Sequence, residues 1–250
     1  MNIGILTIAT GKYQQFIVPL YKSINKYFLT DHRKTFILFT DSPDTIRKDI
    51  SDLGVNFLIQ KIERKGFPGD TLLRYHHFSS VRDQLASMQD AIRPEALYYF
   101  DADMMVVSRV GDEVLPTDHK SLIATAHPGY YSRPGHNQLG TPETNPKSTA
   151  YIPEGRYRPC YWAGGYNGGE FNAFMNMSLE ISSRVDRDNS NNIVAIWHDE
   201  SHLNAYLSEP SNIDRVKTLV PSYCYPESWS LPFERKILAL DKDHAKMRSL

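Results

Sequence analysis

Short apolar runs rich in β-branched residues alternate with segments of helical period between residues 3 and 100, and that alternation leaves few folds open. Ile3 to Ala9 is such a run and opens into a loop at Thr10-Gly11. Phe16, Leu20, Tyr21, Ile24, Tyr27 and Phe28 then recur at helical spacing. Thr35 to Thr40, ending at Asp41-Ser42-Pro43, reads as a second strand, and Val55 to Ile62, before Gly66-Phe67-Pro68-Gly69, as a third. The pattern predicts a helix from near Asp70 to about Ala91 and a strand over Ala96 to Phe100. Strands separated by helices imply βαβ units, hence an α/β class with a mostly parallel sheet and helices on both faces. Ligands in such sheets lie beyond the carboxyl ends of the strands.

Further along, residues 132–148 are rich in Pro, Gly, Asn and Thr and carry no apolar period, which predicts a functional or a mobile loop. Helices are expected from about Glu170 to Val185 and from Asp199 to Leu207. No repeat, linker or low-complexity segment divides the sequence, so residues 1–250 are expected to form one compact unit. At 250 residues and 41% apolar, the chain is long enough to bury a full core. Its net charge of −1 gives no overall field for nucleic acid or for an anionic membrane, so phosphate must be met by a local site. Two cysteines, Cys160 and Cys224, rule out a disulfide framework. The first residues lack a signal-peptide pattern, and no apolar run is long enough to span a bilayer. The expectation is a soluble, cytoplasmic protein without a transmembrane segment.

Asp101-Ala102-Asp103 stands where the fourth strand ends. Two carboxylates one residue apart form a fork suited to a hard divalent cation shared with substrate phosphates. The plainer reading is a strand that ends in two solvated acids. No Gly-x-Gly-x-x-Gly follows the first strand, where Thr10-Gly11-Lys12-Tyr13 stands instead, and this excludes the usual dinucleotide-binding turn.

Four further segments accompany the fork: His127-Pro128-Gly129-Tyr130-Tyr131, Ala150-Tyr151-Ile152-Pro153, Tyr161 to Gly169, and Trp197-His198-Asp199-Glu200-Ser201-His202-Leu203-Asn204. In this order they resemble glycosyltransferase family 6, from the first strand nearly to the C-terminus, with residues 197–204 the most specific part. The resemblance implies a GT-A fold: a nucleotide-binding sheet continuous with an acceptor-binding part. It also implies α1,3 transfer of galactose or N-acetylgalactosamine from a UDP-sugar donor onto an oligosaccharide or glycolipid acceptor, with retention of anomeric configuration. Under it, Asp101 and Asp103 hold Mn²⁺ against the diphosphate. Some bacterial relatives carry asparagines there and need no metal, whereas this sequence keeps both acids.

By the same resemblance, Ile8, Ala9, Thr10 and Tyr13 wrap the uridine, and Arg74, Ala102 and Asp199 stand near the donor. Asp199 is equally placed to cap a helix. Glu200 faces the anomeric carbon, as a nucleophile or as an electrostatic support, and belongs to the acceptor side as well. Ala163, Gly164 and Gly165 line the donor sugar, and glycine at the last position leaves space for a 2-acetamido group, which implies UDP-N-acetylgalactosamine. Lys242 and Arg248 match a basic pair that closes over the diphosphate. His127 and Trp197 match acceptor contacts, although His127 also suits a loop histidine bonded to backbone. Glu227 lies near an acceptor-binding acid of the family. The sequence departs from the family at Leu139 to Thr144, and so acceptor identity is the least defined part of the reading.

Overall fold

The computed structural model describes residues 1–131 and 139–248, apart from the side chains of Asp52 and Arg248. In chain order the main elements are β1 (Asn2–Ile8), α1 (Ile17–Tyr27), β2 (Arg33–Thr40), α2 (Pro43–Ile50), β3 (Asn56–Lys61), α3 (Gly69–Leu72), α4 (Arg74–Ser80), α5 (Arg82–Ala86), β4 (Ala96–Phe100), β5 (Met104–Val106), β6 (Leu122–Ala126), β7 (Trp162–Glu170), α6 (Phe171–Ser190), α7 (His198–Leu207), β8 (Val216–Leu219), β9 (Tyr225–Pro226), β10 (Ile237–Ala239) and α8 (His244–Arg248).

A seven-stranded sheet runs β3-β2-β1-β4-β7-β6-β8. β1 pairs in parallel with β2 and β4, β2 with β3, and β6 with β8, while β7 lies antiparallel to β4 and β6. The sheet is thus the α/β, mostly parallel sheet that the alternation implies, and it is consistent with a GT-A-like fold. β1, β2 and β4 are largely apolar along their buried length because both faces are covered. Ile3, Ile5, Phe36, Leu38, Tyr98 and Phe100 pack with Leu20, Tyr21 and Ile24 of α1. The alternate residues Leu6, Ile37, Phe39, Leu97 and Tyr99 pack with Tyr75 and Phe78 of α4 and with Phe174, Met177 and Ile181 of α6. A second, three-stranded sheet, β5-β10-β9, brings the chain's last part back beside the end of β4.

Two elements differ from the sequence expectation. The single helix predicted from Asp70 to Ala91 is three short helices, broken at Leu73 (φ −91°, ψ 8°) and Val81 (φ −99°, ψ 4°). The break at Leu73 lets Arg74 reach away from the core toward the sheet's functional end, while Tyr75 and Phe78 pack on the sheet face. Residues 162–170 form a nine-residue strand where only loop and motif were legible. Glycine is required there by close packing: a Cβ on Gly168 would fall 2.5 Å from Leu97 O, and one on Gly169 2.5 Å from Ser121 O. The helices expected near 170 and 199 are present as α6 and α7, with the Glu170 carboxylate accepting from Ala173 N at 2.8 Å to cap α6.

Candidate active site

The functional end of the sheet is organised by an irregularity in β7. Opposite β6, the register passes from Ala124–Asn167 to Thr125–Ala163, so residues 164–166 bulge out of the ladder. The bulge turns backbone groups into the site. Gly164 N donates to Glu200 Oε2 at 2.7 Å, Gly164 O accepts from Arg74 Nη1 at 2.8 Å, and Gly165 O accepts from Asp101 N at 2.9 Å.

Arg74 joins the segments that the sequence leaves far apart. Beyond Gly164, its Nη2 donates to Asp101 Oδ1 at 3.2 Å, and its Nε is ion-paired with Asp199 Oδ2 at 3.1 Å. The guanidinium carbon lies 4.5 Å from the centre of the Tyr99 ring, and the Tyr99 hydroxyl donates to Asp101 Oδ1. Burial works against the charge on Arg74, but Asp199, Tyr99 and Asp101 more than offset it, and the side chain stays cationic. Asp199 lies inside the first turn of α7, where its carboxylate pairs with Arg74 and accepts from the Asp199 and Glu200 amides, and burial raises its carboxyl against these pulls. Burial pushes the Glu200 carboxyl up to about 8, with the Gly164 amide opposing the shift and the charge of Asp199 adding to it.

α7 opens with His198 at φ 50°, in the left-handed region that costs a non-glycine residue about 1 kcal/mol or more. The turn there leaves Trp197 46% exposed while Asp199 is 5% exposed. His198 is held edge-on against Phe67, ring centres 5.0 Å apart.

Asp101 and Asp103 follow β4, and their occupants bear on whether the fork suits a cation. Asp103 is 6% exposed and its Oδ2 is ion-paired with the Lys242 ammonium, so the fork already stabilises one positive charge. Asp101 Oδ2 stands on the other side, 3.0 Å from where a Cβ on Gly165 would be. Among the described residues no three His, Cys, Asp or Glu side chains converge on one point. Asp101 and Asp103 both line the cavity beside them and offer oxygen ligands, the donor chemistry that suits a hard divalent cation completed by phosphate oxygens and water.

A cavity of about 240 Å³ opens beside the fork, lined by Ile8, Thr10, Tyr13, Arg74, Asp101, Ala102, Asp103 and Lys242 among others. Thr10 Oγ1 donates to Asp70 Oδ2 at 2.8 Å, tying the β1 loop to the start of α3. Ala9 is not on this wall: it is fully buried in the core, with its N–H bonded to Phe39 O at 2.9 Å. Ala163 likewise is buried, packed in the same core cluster. Arg248 ends α8, and its side chain lies outside the described residues.

On the far side of Glu200, His127 and Trp197 are linked through two residues that the sequence reading passed over. The His127 ring lies tilted against Tyr130, ring centres 4.9 Å apart, the Tyr130 hydroxyl meets Thr141 Oγ1 at 3.0 Å, and Trp197 Nε1 donates to Thr141 Oγ1 at 2.6 Å. His127 Nδ1 accepts from Gly129 N at 3.0 Å, and burial pulls its pKa down to about 4, so the ring is neutral. Glu227 accepts from Asp241 N at 2.9 Å and anchors the returning tail. Tyr99 and Asn204 were also missed; Asn204 stands one helical turn after Glu200 in the 197–204 run, and that spacing was the available signal.

Known proteins resemble this chain over nearly its whole length. The chain is 29% identical over 260 residues to histo-blood group ABO system transferase 1 of Rattus norvegicus, covering 99% of this chain and 69% of that one. It is 27% identical over 254 residues to globoside alpha-1,3-N-acetylgalactosaminyltransferase 1 of Homo sapiens, covering 100% and 69%. It is 27% identical over 243 residues to the O-antigen biosynthesis glycosyltransferase WbnI of Escherichia coli, covering 97% and 96%. The sequence model of Glycosyltransferase family 6 matches residues 1–249, nearly the whole chain. A sheet that ends in a carboxylate fork, with a second pair of acids carried to it by Arg74 and a bulged strand, is accordingly the scaffold of a hexosyltransferase, and the chain belongs to glycosyltransferase family 6.

Proposed function

We propose that the protein transfers N-acetylgalactosamine from UDP-N-acetylgalactosamine, in α1,3 linkage and with retention of configuration, onto a galactose-containing glycan. The observation that carries this reading is the convergence on Gly164 and Gly165. Added Cβ atoms there would lie 3.3 Å from Glu200 Oε2, 3.4 Å from Asp199 Oδ2 and 3.0 Å from Asp101 Oδ2. Side-chain volume is missing where the acids meet, which supports a donor sugar with a bulky 2-substituent.

The chemistry divides between the two ends of this arrangement. Departure of UDP builds negative charge on the diphosphate, which Arg74 and Lys242 offset from the cavity wall. Positive charge builds on the anomeric carbon, and Glu200, fixed by the Gly164 amide, faces it; with its pKa raised to about 8, the ionised fraction that offsets this charge grows as pH rises. Asp199 orients the sugar hydroxyls while holding Arg74 in place. Asp101 and Asp103 would hold Mn²⁺, which would supply further charge neutralisation at the leaving group. Trp197, exposed beside Thr141, offers an apolar face to the acceptor.

Transfer assays with UDP-N-acetylgalactosamine and UDP-galactose, each with Mn²⁺ and with chelator, test the proposal. Faster transfer from UDP-N-acetylgalactosamine with an α-linked product is expected. Preference for UDP-galactose overturns the donor assignment, a β-linked product overturns retention, and equal rates in chelator overturn the role of the metal.

A further inference from the structure

One buried amide has no role in the chemistry described above. Asn204 is fully buried on α7, four residues after Glu200 and so on the same side of the helix. Its Oδ1 accepts from Trp162 N at 2.8 Å, and its Nδ2 donates to Trp162 O at 2.8 Å and to Glu200 O at 2.9 Å. β4 pairs with β7 only as far as Tyr166, so among the described residues no strand lies beside this edge of β7 at Trp162. The Asn204 side chain takes the place of that strand, matching one donor and one acceptor on a single residue. Two residues further along β7, Gly164 N bonds Glu200. Side chains one turn apart on α7 thus meet backbone groups two residues apart on β7.

We propose that Asn204 is a positioning residue for Glu200, locking α7 to β7 at Trp162 so that the Glu200 carboxyl is held at the Gly164 amide. The inference rests on the catalytic reading of Glu200. An amide is needed because the lock uses an acceptor and a donor together. A carboxylate of the same shape would set a second acceptor against Trp162 O and Glu200 O, and it would leave those carbonyls unmet in a buried place. Among the described residues, no lining residue of the cavity beside the fork comes from α7 or β7, and Lys242 pairs with Asp103 there without passing through Asn204. Nucleotide binding and turnover should therefore separate when it is changed.

The test compares the full-length wild type, Asn204→Asp, Asn204→Ala and Glu200→Gln, with UDP affinity measured by calorimetry and steady-state kinetics with the UDP-sugar. For Asn204→Asp the expected result is a fall in kcat of about 10- to 100-fold, with the donor KM and the UDP Kd within about twofold of wild type. Asn204→Ala, which removes the lock without adding repulsion, serves where the Asp variant does not fold. Unchanged kcat in either folded variant overturns the proposal, and so does a parallel loss of kcat and UDP affinity, which marks general loosening. If neither variant folds, Asn204 is a folding determinant and the proposal falls as well. Transfer retained by Glu200→Gln overturns the reading of Glu200 itself, independently of how the Asn204 variants behave.

Discussion

Glu200 carries the sharpest consequences at the scale of single residues. Its carboxyl is raised from an ordinary 4.5 to about 8 in the folded chain. Between those values the folded state keeps a proton that the unfolded state has lost. The stability from this group is therefore complete below about pH 4.5 and declines as pH rises toward 8. Glu200→Gln removes the ionisation, so in chelator and without donor the variant should melt above wild type. The gap should widen from pH 5 to pH 8 and reach about 4 kcal/mol. The same variant should lose transfer by about 100-fold or more, and Tm and rate measured across pH check both halves. Arg74→Lys keeps the charge but not the fork geometry, so Asp199, Asp101 and Gly164 O cannot all be met. A fall in kcat of about 10-fold or more with a lowered Tm is expected. Most of these residues were visible in the sequence because two compact motifs hold them, Asp101 to Asp103 and Trp197 to Asn204. What joins them was visible only in part. The resemblance placed Arg74 near the donor and the aspartates, but its bond to Gly164 O depends on a turn at Leu73 that helical periodicity does not reveal.

Among the elements, β7 shows most clearly why part of the fold was hidden. Its sequence, WAGGYNGGE, has little intrinsic strand preference, and its conformation is imposed by β4 and β6 on either side. Gly168 and Gly169 are there because the neighbouring backbones approach too closely for a Cβ, a tertiary fact that no local pattern encodes. β1, β2 and β4, buried on both faces, announce themselves as apolar runs and were placed within two residues. The bulge at residues 164–166 makes its own prediction. Gly165→Ala sets a methyl 3.0 Å from Asp101 Oδ2 and should weaken binding of Mn²⁺, measured by the paramagnetic resonance of the free ion, with little change in Tm.

For the molecule as a whole, the loop after β1, the end of β4 and the segment after β10 meet at the cavity. Leu240 N bonds Asp103 O at 2.9 Å, Lys12 Nζ bonds Lys246 O at 3.1 Å, and Lys242 pairs with Asp103. A chain ending at Ala239 keeps both sheets but loses this closure, so its affinity for UDP should fall about 10-fold or more by calorimetry, with the far-ultraviolet spectrum unchanged. The bulged strand has one further consequence for how such an enzyme changes over time. The groups that hold Glu200, Arg74 and Asp101 at residues 164 and 165 are peptide amide and carbonyl groups, and no codon specifies them. A point mutation there alters the room beside the sugar while the wiring around it persists, unless it introduces proline. Under the proposed donor assignment, choice of sugar is free to drift by single substitutions there while these backbone bonds persist, at the loss of Mn²⁺ affinity expected for Gly165. Laboratory selection for new donors should find its earliest gains at these positions.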